Sequence, residues 1–499
     1  MRKDNLSSVQ AKVKSIKNLI GYKNQLIIRE LLIGKKSNLH VTILYMNGLT
    51  NTQTIDRDIL KPLMFEIEED LTIIDNLEET IIKKYIAVGN VFIEEDINKV
   101  VFYIKRGKTA LVLPGDSKAI IIDTSGGDYR AIQDPINESS VRGVREGFVE
   151  KLETNISLIR RRLKDDNLVE ERMIIGKRSC TDVVIMYLDN IADKNIVKDV
   201  RKRLSVIDVD GFSGSGALEQ FVEDYPYSIF PQNYYTERPD VIVGNLLEGR
   251  IAIIIDGTSF VITLPVVFYE FFQAIEDYNQ RTLIVSFQRI LRYIAVFIII
   301  TLPAIYVTLI KFNAELIPIN FLEALIQSRK GIALTPFMSI LSMNMIVEFL
   351  REGGLRLPAK IGQTLSVVGG IIIGDAAIQA KIVSSTTLLV VGISTVATFL
   401  IPNYEMSLSI RILSYPMLIL GNFLGMFGIA VGWFFIITYL CNLENYGVPY
   451  FKLYKSDMKD IFIRKPLWKM NERPKVIPEV DTTRQNNFRS LFRRNRNEE

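Results

Sequence analysis

One histidine, His40, and two cysteines, Cys180 and Cys441, are all that 499 residues offer for imidazole or thiol chemistry. That scarcity excludes a zinc set, a His-based relay and a disulfide scaffold, since the cysteines stand far apart in unlike surroundings. Charge of one sign is also scarce: 60 basic against 56 acidic residues leave +4, too little for a nucleic-acid binder. Catalytic signatures are equally thin. GFSGSG at 211–216 has its second glycine misplaced for a nucleophile elbow and lacks the lysine of a phosphate loop. DVDG at 208–211 starts like a calcium loop without the remaining oxygen ligands. Both read as turns, and Asp123 and Asp256 read as turn caps at strand ends. The chain is expected to be no enzyme and to carry no cofactor or metal.

What is present is apolar. With 48% hydrophobic residues and a mean hydropathy of +0.19, the sequence divides into a charged part up to about Gln280 and a series of long apolar runs from Tyr293 to Cys441. A helix crosses a bilayer with roughly 20 residues, because about 30 Å must be spanned with every backbone polar group satisfied internally. Tyr293–Ile310, Ile361–Ala380, Ile382–Ile401 and the longer Ile412–Leu440 pass that test, and Gly331–Phe349 is a weaker fifth candidate. The opening MRKDNLSSVQ has no apolar core of a signal peptide, so the head is expected on the side where it is made.

Basic clusters place the head cytoplasmically: Arg281, Arg289 and Arg292 before the first span, and Arg351, Arg356 and Lys360 before the second. The stretch from Lys452 adds 13 Lys/Arg against 7 Asp/Glu, which makes a basic cytoplasmic tail. Both ends on one side require an even number of crossings. Four satisfy it; six satisfy it if Gly331–Phe349 crosses and Ile412–Leu440 bends back near Gly421–Gly425. RTLIVSFQRILRY puts Leu283, Ile284, Phe287, Ile290 and Leu291 opposite Arg281, Gln288, Arg289 and Arg292, which suits either a helix on the lipid surface or an ordinary connector.

The head echoes itself. HVTILYMNGLTNTQTIDRDIL from His40 matches DVVIMYLDNIADKNIVKDVRKRL from Asp182, superposing Tyr45 on Tyr187, Leu49 on Ile191 and Ile55 on Val197. A second pair aligns KAIIIDTSGG from Lys118 with RIAIIIDGTS from Arg250. The expected organisation is an α/β head of two similar subdomains, an α-helical transmembrane bundle and a basic C-terminal tail. Its boundaries are a 1–19 tail, subdomains at 20–135 and 166–280, a linker helix in 136–165, an interfacial helix at 281–292, a bundle of four to six segments at 293–450, and a tail at 451–499.

Inside the apolar region, Ser366, Gly370 and Gly374 recur every four residues and leave a groove for close helix packing. Asp375 and Gln379 lie one turn apart on a neighbouring face. An ionised Asp near mid-span costs on the order of 2.5–3.5 kcal/mol, so it faces water, a partner or the bundle interior. Around a symmetry axis this face would line a cation-favouring pore; the alternative is a shallow Asp375 neutralised by Lys381. Glu348, Arg351, Glu352 and Arg356 flank Gly353–Gly354 at a span end, as interfacial salt bridges or as a gate. Glu237 and Arg238 of TERPD, with Arg142 and Arg145, are candidates for subunit contacts.

RGVREGFVEKLETNISLIRRRLK from Arg142, the run YPYSIF through SFVITLP and the block VEFLREGG through AKIVSS resemble the A subunit of the GerA-type spore germinant receptors, over about Leu19 to Tyr450. Val144 stands where that pattern usually has Pro, and Asp375 where it usually has Gln. The resemblance implies a head facing the spore core and a bundle in the inner spore membrane. It also implies assembly with a transporter-like B subunit and a lipoprotein C subunit, and homo-oligomers of A subunits acting as a nutrient-gated ion channel at germination. A non-conducting scaffold for the B subunit and a stand-alone solute transporter remain as alternatives.

Overall fold

The computed structural model describes residues 2–20, 26–34, 38–46, 49–71, 74, 76–114, 118–126, 133–135, 137–138, 140, 142–357, 369–370, 372–454, 457–486 and 488–489, with side chains from residue 9 onward. The chain forms two compact units, Met1–Arg130 and Ala131–Glu499.

The first unit holds a sheet of β1 (Leu26–Ile33), β2 (Leu39–Met46), β3 (Val91–Glu94), β4 (Thr109–Val112) and β5 (Ala119–Ile122) in the order β1-β2-β4-β5-β3. The second holds β6 (Leu168–Ile175), β7 (Thr181–Leu188), β8 (Tyr234–Thr236), β9 (Ile251–Ile255) and β10 (Val261–Leu264) in the order β6-β7-β9-β10-β8. The two topologies are the same, and so is the register. Leu111 pairs with Ile43 and Ile120, while Ile253 pairs with Ile185 and Ile262. One offset of 142 positions carries every one of those residues onto its counterpart, as it carries Tyr45 onto Tyr187.

That offset corrects the second echo. Lys118 does not match Arg250: the strand after Lys118 is β5, whose counterpart is β10, and β9 is the counterpart of β4. Helices cover both faces of each sheet, so the central strands read as unbroken apolar runs, such as Ile251–Ile255, with no alternation to mark register.

The expected N-terminal tail and linker helix are equivalent elements. Helix Arg2–Ile20 seats Val9, Ile16 and Ile20 on the first sheet, and helix Leu152–Arg162 seats Leu152, Ile156 and Ile159 on the second. Each is the opening helix of its repeat, held by its apolar stripe. Asp256 accepts from Leu152 N at 3.1 Å, so this strand-end carboxylate serves the start of that helix.

Thr282–Lys311 is one uninterrupted helix; no joint separates residues 281–292 from the first apolar run. Its amphipathic start is real but inverted relative to a surface helix. Leu283, Ile284 and Phe287 are exposed, whereas Arg289 is fully buried. Further on come Ile319–Arg329, Pro336–Leu355, the helical residues 372–379, Ser385–Thr398 and Tyr404–Asn442. Three of these begin at side-chain caps: Thr335, Ser384 and Asn403 accept from Met338 N, Thr387 N and Met406 N at 3.3, 3.2 and 3.0 Å.

Tyr404–Asn442 is a hairpin of two helical arms. Gly425 has φ 64° and ψ −144°, which breaks the helix. Gly432 packs on Met417 and Gly428 on Leu420, contacts that one straight helix cannot make. The open ends meet again: Ser409 Oγ donates to the Ile229 carbonyl at 2.6 Å, and Tyr439 stacks on Phe230 with centroids 6.1 Å apart.

Directions within the bundle follow from contacts. Lys311 Nζ reaches the Asn422 carbonyl at 2.8 Å, so Thr282–Lys311 ends beside the hairpin tip. Pro336–Leu355 returns, bringing Glu348 to Arg411. Residues 372–379 lead back to Lys381, whose carbonyl accepts from Ala333 N. Ser385–Thr398 returns once more, and Ser407 Oγ meets the Thr398 carbonyl at 3.2 Å. With the hairpin's arms this makes six antiparallel helical segments among the described residues, beginning and ending at the α/β side.

Among the described residues, helix Thr282–Lys311 and the hairpin segment Tyr404–Asn442 are long and apolar enough to enter a membrane. Their outward surface includes Phe297, Phe423, Phe427, Phe434 and Phe435, each at least half exposed. A belt of that kind is unfavourable against water and natural against lipid.

The C-terminal segment is not a loose tail. Val448, Ile461 and Val476 enter the core of the second sheet's layer, and Val480 N donates to the Ile191 carbonyl at 2.9 Å.

Candidate functional site

The second α/β layer, the first bundle helix and the C-terminal segment meet at a buried ionic joint. Asp277, 1% exposed, accepts from Arg289 Nε at 2.9 Å and from Arg292 at 2.7 and 2.9 Å. Arg289 also pairs with Asp460 at 2.7 Å, and Tyr278 Oη donates to the other oxygen of Asp460 at 2.7 Å. Arg464 Nη1 donates to the carbonyls of Asp277 and Gln280 at 2.5 and 3.0 Å. Two guanidinium groups from the Thr282–Lys311 helix are thus matched by one carboxylate before it and one from the far end of the chain. Paired buried charges resist separation, because parting them strands each in a low dielectric. The joint therefore ties this α/β layer to the first bundle helix. The sequence alone marks Arg289 and Arg292 as membrane-flanking charges and carries no signal for Asp460.

Within the bundle, Glu348 pairs with Arg411 at 3.4 Å and with Arg351 at 4.0 Å. They border a cavity of about 70 Å³ also lined by Pro303, Asn344 and Tyr415. Arg351 Nη2 and Arg411 Nε make no hydrogen bond there. Arg411, which nothing in the sequence pattern singles out, is what holds Glu348. Arg356 donates to Glu352 at 2.6 Å, and the helix runs unbroken through Gly353–Gly354. Both of these side chains are exposed.

Asp375 and Gln379 sit together as their spacing predicts, Gln379 Nε2 donating to Asp375 Oδ2 at 2.7 Å. Both are exposed on this single chain, and among the described residues no ion pair joins Asp375 to Lys381. Gly374 is buried against the next helix, where a Cβ on it would stand 3.4 Å from a methyl carbon of Leu388. Gly370 has open space over it, and Ser366 lies outside the described residues.

The proposed subunit contacts at Glu237 and Arg238 are corrected, since both side chains are buried within the chain. Glu237 accepts from Asn137 N and Nδ2 at 3.1 and 3.0 Å. Arg238 donates to the carbonyls of Glu138 and Val144 and forms a two-pronged pair with Asp240 at 3.1 and 2.9 Å. TERPD is a clasp that fixes Asn137, Glu138, Val144 and Phe148 to the second sheet. Arg142 and Arg145 remain exposed. No group of three or more His, Cys, Asp or Glu suited to a metal occurs among the described residues.

A duplicated α/β head feeding apolar helices through an ionic joint defines a two-part protein, one part suited to water and the other to lipid. The chain belongs to the Bacillus/Clostridium GerA spore germination protein family, whose model matches residues 14–476. Spore germination protein KA of Bacillus subtilis (strain 168) is 36% identical over 482 residues, 96% of this chain and 88% of that protein. Spore germination protein B1 of the same organism is 34% identical over 484 residues, covering 96% and 99%. The N-terminal domain of the A subunit of the Bacillus megaterium spore germinant receptor GerK3, a crystal structure, is 33% identical over 51% of this chain and 94% of that one, with a TM-score of 0.22.

Proposed function

We propose that this chain is the A subunit of a nutrient germinant receptor in the inner spore membrane, multi-pass, with its head and C-terminal segment on the cytoplasmic side. In this reading it assembles with a transporter-like B subunit and a lipoprotein C subunit, and several copies ring an axis to form a nutrient-gated ion channel. Membership of the spore germination family supports the process. The observation that carries the channel reading is the Asp375–Gln379 pair, polar and exposed on a helix amid apolar segments. Such a pair is costly against lipid, and facing copies around water would relieve that cost while favouring cations. A nutrient opens such a channel only by interacting more favourably with the open than with the closed arrangement.

The test is single-channel recording of the assembled receptor in planar bilayers. Ligand-dependent cation current that falls in Asp375→Asn, with assembly intact, is the expected result. Unchanged conductance in that variant would remove the pore role, and absence of any current would leave a scaffold for the partner subunits.

A further inference from the structure

Where the second α/β layer meets the open end of the hairpin, Glu219, Glu223 and Glu405 lie close enough to repel one another, and among the described residues none of them has an ion-pair partner. Glu219 lies on helix Ser215–Val222 and is 6% exposed, Glu223 follows that helix, and Glu405 opens the first arm of the hairpin. Asn233, 1% exposed, approaches Glu219 from the strand side, and Glu219 Oε1 has no well-aligned hydrogen-bond partner. The other titratable groups around them are Tyr235 from β8, Tyr404 and Tyr439 from the hairpin, and Tyr446 and Tyr450 from the segment after it. Among the described residues no basic side chain is paired with Glu223 or Glu405. The nearby guanidinium, Arg203, is taken by Asp199 and Asp224 at 2.8 and 2.7 Å and lies over Tyr446.

Glu219 is shielded from water while Glu223 and Glu405 are partly exposed, so ionising all three adds the desolvation of Glu219 to their mutual repulsion. We propose that Glu219, Glu223 and Glu405 form a proton-binding site that latches the second α/β layer to the hairpin, protonated while the two are packed and ionised when they part. Burial and the neighbouring acids push Glu219 up to about 9 and Glu223 up to about 7, which agrees with the geometry. Since the packed state holds more protons than the parted one, the latch is firm at low pH and loosens as pH rises toward 9. The site needs no ion conduction by this chain, so it stands or falls separately from the channel reading.

The experiment is hydrogen exchange on the full-length chain in lipid nanodiscs, following the 229–236 and 404–410 amides between pH 5.5 and 9.5 after correction for intrinsic rates. Opening of these two segments should rise with pH by up to about tenfold per unit for each proton linked, and Glu219→Gln or Glu223→Gln should flatten the dependence. Opening that is independent of pH in the unmodified chain would overturn the proposal even if a variant failed to fold. So would an unaltered pH dependence in both variants. Millimolar calcium or magnesium restoring protection at pH 9 in the unmodified chain alone would also overturn it, assigning the site to a metal cation.

Discussion

Gly432 packs directly on Met417: a Cβ at Gly432 would stand 2.7 Å from the Met417 sulfur. The arms of the hairpin therefore touch along glycine, with Gly428 against Leu420 nearer the tip. Gly428→Ala would drive a methyl group into the Leu420 carbonyl oxygen, which is backbone and cannot rotate away. We expect a loss of about 1–3 kcal/mol, the usual cost of overpacking, seen as a lower melting temperature of the detergent-solubilised chain. Gly370→Ala, where nothing lies within 4 Å, should leave it unchanged.

The hairpin is half legible in the sequence: glycine and apolar length allow a bend near Gly421–Gly425, but the parity of crossings admits four spans as well as six and does not choose between them. The duplicated head is legible where a strand, a turn and a helix keep their order, so Tyr45 finds Tyr187. It is misaligned where only apolar runs are compared: Lys118 and Arg250 each precede strands buried on both faces, and such strands carry no periodic mark of register. Asp375 and Gln379 are neighbours on one helix, so spacing suffices. Arg289 reads as facing outward because Asp460, its partner, is 171 residues away and only tertiary packing brings it near. Glu348 is visible in the sequence and its partner Arg411 is not, for the same reason.

The ionic joint should fail asymmetrically. Asp277→Asn leaves Arg289 and Arg292 facing an amide in a buried site, and removing one partner of such a pair costs about 3–5 kcal/mol. Arg289 keeps Asp460, but Arg292, whose ion pair among the described residues is with Asp277, loses its acidic partner, and replacing Arg292 by Met at the same time removes that stranded charge. The double variant should therefore be more stable than Asp277→Asn alone, which a double-mutant cycle by thermal unfolding in detergent would measure. Additive losses would mean the pair is not coupled.

The segment after helix Ser215–Val222 exposes Tyr225, Tyr227 and Ile229, with Tyr227 98% exposed. Its end is fixed at the open end of the hairpin through Ser409 and Phe230. Aromatic side chains at that level belong to the headgroup zone. Tyr227→Trp, in a chain whose native Trp433 and Trp468 are changed to Phe, should emit at a wavelength between those of buried and aqueous indole. Lipids brominated near the headgroup should quench it more than lipids brominated deep in the acyl chain; equal exposure to an aqueous quencher with and without lipid would refute the placement.

Glu138 provides a pH test inside the α/β part. Thr236 Oγ1 and the Glu237 amide donate to it, at 3.1 Å for the amide, and burial pushes its carboxyl up to about 7 against these stabilising contacts. Its folded-state value lies above that of the unfolded chain, so the packed protein holds its proton more tightly. The stability it contributes is present below the ordinary carboxylate range and is lost as pH rises through about 7. Glu138→Gln imitates the protonated form. The stability difference between variant and unmodified chain should shift toward the variant by up to about 3 kcal/mol between pH 4.5 and 8. Denaturant unfolding of both at matched pH reads that shift directly, and parallel pH profiles would show that Glu138 is ionised throughout.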